Sequence, residues 1–211
     1  MKTVILGKGG LFAAIREKLQ PREYLGFLDD SSLSDADCLG RFSDLRLTEA
    51  ERVFIAFGSI ANMHLRGHLL DRLSRMNLLH GVVVSDGAVV SPTATIGAGS
   101  GVCGNCSVGS NVEVGIGAIL FSNVSIEHDS QLGQNVNIAP GVTISGSVKV
   151  GDNVFIGSGS IIADGVSIGS NSVIGAGALV LQDVEPYCIY FGAPARRIRT
   201  NDLYESRDCP F

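Results

Sequence analysis

The sequence predicts two parts built on different rules: a small parallel α/β sheet, then a coiled prism of six-residue repeats. Three observations carry this reading. Strand-like and helix-like stretches alternate up to about residue 80, and such alternation implies parallel strands joined by helical crossovers. From Val84 to Val180 every sixth residue is Val, Ile or Leu, seventeen positions with no slip of register. Two residues before each stands Val, Ala, Ser or Cys. A period of six is neither a helical stripe nor the plain alternation of a strand. It fits a solenoid whose flat faces each turn one large and one small side chain inward, buried by stacking turn on turn. Three hexads to a turn give about five and a half turns.

The elements follow in order. Residues 2–7 read as a buried strand, Gly7–Gly10 as a tight turn and residues 11–19 as an amphipathic helix. Residues 24–30 and 52–58 are two further strands, and 59–76 a second helix with Ser59 as its N-cap. In the coils a Gly often follows the large apolar residue, as at Gly97, Gly109, Gly133 and Gly151, and marks a corner of the prism. After Val180 the pattern gives way to a cap and tail, which terminal solenoid turns need. The expected division is 1–80, 81–184 and 185–211.

Composition removes several function classes. The net charge of −5 argues against a nucleic-acid partner, because phosphate binding needs a cationic face. No apolar run reaches the 18 or more residues of a membrane span, and the opening MKTVILGKGG lacks the core and cleavage site of a signal peptide. Five cysteines, an odd number, suit free thiols in a reducing cytoplasm. Cys103 and Cys106 need no metal: Cys106 fills the small inward slot and Cys103 is a corner residue. One histidine in the coils does not make a metal site.

That histidine is His128, set between Glu127 and Asp129 in a run of small and apolar residues. It falls two places after Ile126, at a corner, so it projects outward while the core series stays unbroken. It reads either as a solvated surface side chain or as a general base, since imidazole titrates near neutral pH. In the first part, Gly7-Lys8-Gly9-Gly10 opens a helix and could meet a diphosphate, or simply make a turn. Asp29 and Asp30 end the second strand, where an acid commonly meets a ribose hydroxyl; they also read as a solvated turn.

The hexads resemble the left-handed parallel β-helix of the hexapeptide acyltransferases. VILGKGG, GFLDDS, SIEHDSQLGQNVNIAPG, VKVGDNVFIGSGSII and FGAPARRI together resemble one branch, spanning nearly the whole chain. That branch comprises bacterial sugar O- and N-acetyltransferases with an N-terminal nucleotide-binding domain, of the sialic acid and bacillosamine type.

The resemblance implies transfer of acetyl from acetyl-CoA to the 4-amine of a UDP- or dTDP-linked 4-amino-4,6-dideoxy sugar. It also implies a cytoplasmic homotrimer with acetyl-CoA in the grooves between subunits. His128 would be the base, oriented by Asp129, and the backbone N–H of Gly146 would steady the thioester oxygen. Asn137, Ser158 and Ala176 would meet acetyl-CoA; by their charge, Arg196 and Arg197 are candidate phosphate partners. The sugar nucleotide would lie against Gly9, Gly10, Leu11, Asp29, Asp30 and Phe121, and more loosely residues 57–59. Three of these depart from the bacillosamine-type pattern: Leu11 replaces a His, Phe121 an Asn, and Asn137 a second His. O-acetylation of a sialic-acid-like sugar, or binding without catalysis, are the other functions considered.

Overall fold

The computed structural model describes residues 1–202; the end of the expected tail, 203–211, lies outside the described residues. Four parallel strands form the first sheet: β1 (Thr3–Leu6), β2 (Tyr24–Leu28), β3 (Cys38–Gly40) and β4 (Arg52–Ile55), in the order β3-β2-β1-β4. Val4, Ile5, Val53 and Phe54 are fully buried, as continuous apolar strands covered on both faces should be. Helix α1 (Phe12–Lys18) crosses from β1 to β2, and α2 (Met63–Arg75) follows β4 and leads to Leu79, which bridges in parallel to Val53. The edge strand β3 carries no apolar run and was not legible in advance. Ser59 does not cap α2: a short 3₁₀ turn, Ile60–Asn62, intervenes, and Ser59 makes no capping hydrogen bond.

Beyond it, among the described residues, seventeen two-residue strands run from Val83–Val84 to Leu179–Val180. Each but the last three pairs in parallel with the strand eighteen residues on, so three sheets form a triangular prism. The first face carries 83–84, 101–102, 119–120, 137–138, 155–156 and 173–174. The second carries 89–90, 107–108, 125–126, 143–144, 161–162 and 179–180, and the third 95–96, 113–114, 131–132, 149–150 and 167–168. The second residue of each pair points inward: Ile138, Ile144, Ile156 and Ile162 are wholly buried, each worth about 1.5–3 kcal/mol. Val84 is 40% exposed, because no coil lies beneath the first turn.

Three residues after each large apolar position the chain usually adopts a left-handed conformation. Gly, Asn, Asp or Ser occupies it, as at Asn105, Asn111, Gly117, Asp129, Asn135 and Ser147. Gly and Asn tolerate that conformation best, which explains the choice.

The first sheet stands on the first face. That face alone carries apolar residues outward in its middle, with Ile119 fully buried. A side chain at Gly101 would meet Phe54, Leu11 and Ile15, so the two parts touch closely there. Polar links fix the seat. Arg66 of α2 is wholly buried and donates to the Gly117 carbonyl and to Asn135 Oδ1, the latter at 2.6 Å. Asn135 Nδ2 donates to the Met63 carbonyl at 3.0 Å, and Lys18 meets Asp86 at 2.5 Å. Burial pulls the Arg66 guanidinium down to about 9.

The chain closes with an antiparallel pair, β22 (Cys188–Phe191) and β23 (Arg196–Thr200), laid against the last coil of the first face.

Candidate active site

His128 stands at the corner between the second and third faces, 61% exposed. Its Nδ1 lies 2.8 Å from Asp129 Oδ2, and Asn111 Nδ2 donates to Asp129 Oδ1 at 3.0 Å. Asn111 sits eighteen residues before Asp129, in the same left-handed slot one coil earlier. An acid placed where the repeat elsewhere carries Asn or Gly thus has its direction set by the coil, and a neighbour to hold it. With Asp129 accepting the Nδ1 proton, Nε2 is left with its lone pair.

Charges shape the titration. The hydrogen bond to Asp129 raises His128 above the ordinary imidazole value, with further attraction from Asp129, Glu127 and Asp164. Asp129 is lowered by its hydrogen bonds from Asn111 and His128.

Below the ring lies Gly146, one coil further on. A Cβ there would sit 2.7 Å from His128 Cε1 and 2.8 Å from Nε2, so only glycine leaves the imidazole its place. Its N–H, expected to face a thioester oxygen, donates instead to Asp164 Oδ1 at 3.0 Å. The sequence reading passed over both Asn111 and Asp164. The signal was present: residues eighteen apart stack in one column, and 128, 146 and 164 form such a column.

The remaining expected residues fall elsewhere. Ser158 and Ala176 are exposed at the corner between the first and second faces, so one protomer does not bring them to His128. Phe121 occupies that same corner, half-buried against the cluster that holds Leu11, Ile15 and Cys103. Leu11 is a correction: it is 2% exposed and belongs to the core, not to a ligand surface. Leu11 and Phe121, two departures from the family pattern, both serve this one apolar cluster. Asn137 is also a correction. It is wholly buried under the first sheet, with Nδ2 donating to the Gly58 carbonyl, so it joins the two parts and faces no cleft.

Gly9 and Gly10 are exposed at the end of β1. Gly9 packs against β4 so closely that a Cβ would meet the Ala56 carbonyl at 2.8 Å. Asp29 is engaged by this turn: Oδ2 accepts from the Lys8 N–H at 2.7 Å, and Oδ1 from the Ser31 N–H at 2.7 Å. Burial alone would raise Asp29, but the hydrogen bonds from Ser31, Lys8 and Ser32 outweigh it and hold the group low. Asp29 therefore braces the turn, leaving Asp30 as the exposed acid, 4.0 Å from Arg41. Arg197 pairs with Glu185 at 3.2 Å, and Arg196 is exposed on β23.

Cys103 and Cys106 are buried thiols, Cys103 pushed up by burial to about 11, as core residues should be. Among the described residues no cluster of His, Cys, Asp and Glu could hold a metal. Nor, among them, is any helix long and apolar enough to cross a membrane.

Comparison with known proteins agrees with the architecture. The family model for the bacterial transferase hexapeptide (six repeats) matches residues 147–182. Fold and repeat together define the class: a small parallel α/β sheet joined to a left-handed parallel β-helix of transferase hexapeptides. Within that class the chain is similar over almost its full length to a perosamine N-acetyltransferase variant from Caulobacter crescentus, solved with CoA and GDP-perosamine. Identity there is 25%, over 94% of this chain and 97% of that one, with a TM-score of 0.85. The acetyltransferase domain of PglB from Neisseria gonorrhoeae, solved with acetyl coenzyme A, is 26% identical over 93% and 98%, TM-score 0.81. WeeI from Acinetobacter baumannii is 25% identical over 93% and 99%, TM-score 0.82. No curated protein sequence matches the chain. The resemblance read from the motifs therefore holds.

Proposed function

We propose that the protein is an acetyl-CoA-dependent sugar N-acetyltransferase acting on a nucleotide-linked amino sugar. The observation that carries this is the Asn111–Asp129–His128 chain poised over Gly146 at a β-helix corner. The relatives bound to CoA and GDP-perosamine or to acetyl-CoA support the reaction class. The sugar's amine attacks the thioester carbonyl; His128 Nε2 takes the amine proton as the C–N bond forms. The C–S bond then breaks, the departing CoA sulfur takes the proton back from the His128 imidazolium and leaves as the thiol, and the amide remains. Positioned base catalysis of this kind is worth ~10²–10⁴-fold.

The division of labour follows the fold. Residues 1–80 bind the nucleotide sugar at Gly9, Gly10 and Asp30, with Asp29 bracing that turn. Residues 81–184 hold acetyl-CoA, and of the remaining segment the described residues 185–202 close the coil. The nucleotide is a diphosphate, UDP or dTDP by the motif resemblance; GDP accompanies the sugar in one relative. The sugar is a 4-amino-4,6-dideoxy type, and the setting the cytoplasm, which supplies acetyl-CoA.

One protomer leaves the site in halves. In a triangular prism the His128 corner lies opposite the first face, on which the sugar-binding part stands. A cyclic trimer reunites them, setting His128 and Gly146 of one copy against the Ser158, Ala176 and Phe121 corner of the next. The second face would then line the ring. Its outward residues, Val89, Ser107, Ser125, Thr143, Ile161 and Leu179, include no charge, whereas the third face carries Glu113 and Lys149.

The test is thiol release from acetyl-CoA across a panel of UDP-, dTDP- and GDP-linked amino sugars, with mass spectrometry of the product. An alkali-stable amide is expected. A product labile to hydroxylamine means O-acetylation instead. Tight acetyl-CoA binding with no turnover on any sugar means binding without catalysis.

A further inference from the structure

Asp164 stands beside His128 and Gly146, and the proposed reaction does not explain its place. Its Oδ1 accepts the Gly146 N–H at 3.0 Å and would lie 3.3 Å from a Cβ built on Gly146. The same virtual atom is 2.8 Å from His128 Nε2. Imidazole nitrogen, backbone donor and carboxylate oxygen therefore crowd a single spot. This is where the attacked carbonyl must be, within reach of the base and of a donor for its oxygen.

We infer that Asp164 is a positioning residue that occupies the oxyanion position in the free enzyme, and that the acetyl carbonyl displaces it when acetyl-CoA binds. The inference rests on the acetyltransferase reading above. One N–H cannot serve a carboxylate and a thioester oxygen together, and a carboxylate left in place would repel the negative charge that oxygen gains. Asp164 is exposed, so rotating into solvent costs it the Gly146 hydrogen bond and little packing. The resident carboxylate thus keeps the donor aimed and dry until substrate arrives, and makes the enzyme discriminate less between acetyl-CoA and its product.

A purely structural role has a ready comparison. At the next corner, between the third and first faces, Asp152 Oδ1 accepts the Gln134 N–H at 2.9 Å, also eighteen residues away. Joining coils is therefore common to both carboxylates. What sets Asp164 apart is the imidazole over the glycine whose N–H it holds.

Calorimetric titration of acetyl-CoA and of free CoA into the intact protein separates the two roles, because only acetyl-CoA carries the competing carbonyl. Asp164→Ala is expected to raise the preference for acetyl-CoA over CoA by about 3–10-fold, the worth of one hydrogen bond no longer surrendered. Asp164→Asn, which keeps a neutral acceptor, shifts it the same way by less. Asp152→Ala lowers the melting temperature but leaves the preference where it was. An unchanged preference in Asp164→Ala, or an equal change for both ligands, overturns the inference while leaving the acetyltransferase reading intact. Failure of the wild-type protein to bind either ligand removes that reading, and this inference with it.

Discussion

Two corners of the same prism repeat one construction and put it to different ends. At the corner between the third and first faces, Gln134, Asp152 and Ser170 stack at eighteen-residue intervals. Asp152 and Ser170 each accept from the backbone N–H one coil earlier, at 2.9 Å and 3.1 Å. At the corner between the second and third faces, His128, Gly146 and Asp164 stack in the same slots, and Asp164 makes the same bond. The first column joins coil to coil. In the second, a histidine stands for the glutamine, a glycine for the middle aspartate and an aspartate for the serine, which leaves a space with an imidazole nitrogen on one side and a backbone N–H on the other. The core behind both corners is unbroken, with Ile126, Ile144, Leu132 and Val150 all buried.

The sharpest way to break the comparison is to remove the base. His128→Ala should cut kcat by ~10²–10⁴-fold with the melting temperature unchanged, because the ring is exposed and outside the core. Gln134→Ala, its counterpart, should leave kcat as it was; steady-state assays beside thermal melts check both. Next comes Gly146→Ala. Its methyl drives the imidazole aside, and a displacement near 1 Å lowers kcat by about 10²-fold, while the exposed ring swings away at little cost in stability. A crystal structure of the variant should show the Nδ1–Asp129 bond broken.

Asp129→Asn gives a smaller effect, about tenfold in kcat, and a diagnostic one. Asp129 raises His128, and a base must be neutral to act, so wild-type activity climbs as pH rises through that elevated value. Loss of the carboxylate lowers the value and moves the acid limb of the profile to lower pH. Imidazole titration by NMR should follow the same shift. Asn111→Ala, which frees Asp129 but leaves its charge, is expected to lower kcat by only a few-fold and to move the limb less, by the same assay.

The fold was unevenly legible. Seventeen large apolar positions in phase left few alternatives for the coils, and the buried Ile138, Ile144 and Ile156 sit where the period put them. The first sheet was readable in its longer strands but not at the edge strand Cys38–Gly40, whose three residues are too few to show a pattern. Of the site, His128 and Asp129 stood out because a charged pair interrupts the repeat. Asn111 and Asp164 were hidden by sequence distance, although counting by eighteen reaches them.

The period of six determined the prism, its inward residues and its corners, because a repeated burial pattern has one cheap solution. It left the outward residues free, and those decide contacts between distant parts of the chain. Only the folded molecule seats the first sheet on the face of Ile119, which buries Leu11 and Asn137 and turns two expected ligand contacts into packing. The same stacking brings Asp164 onto the Gly146 N–H beside His128. A local pattern fixes what each residue must hide; which neighbours an exposed residue meets is settled by where the turns land.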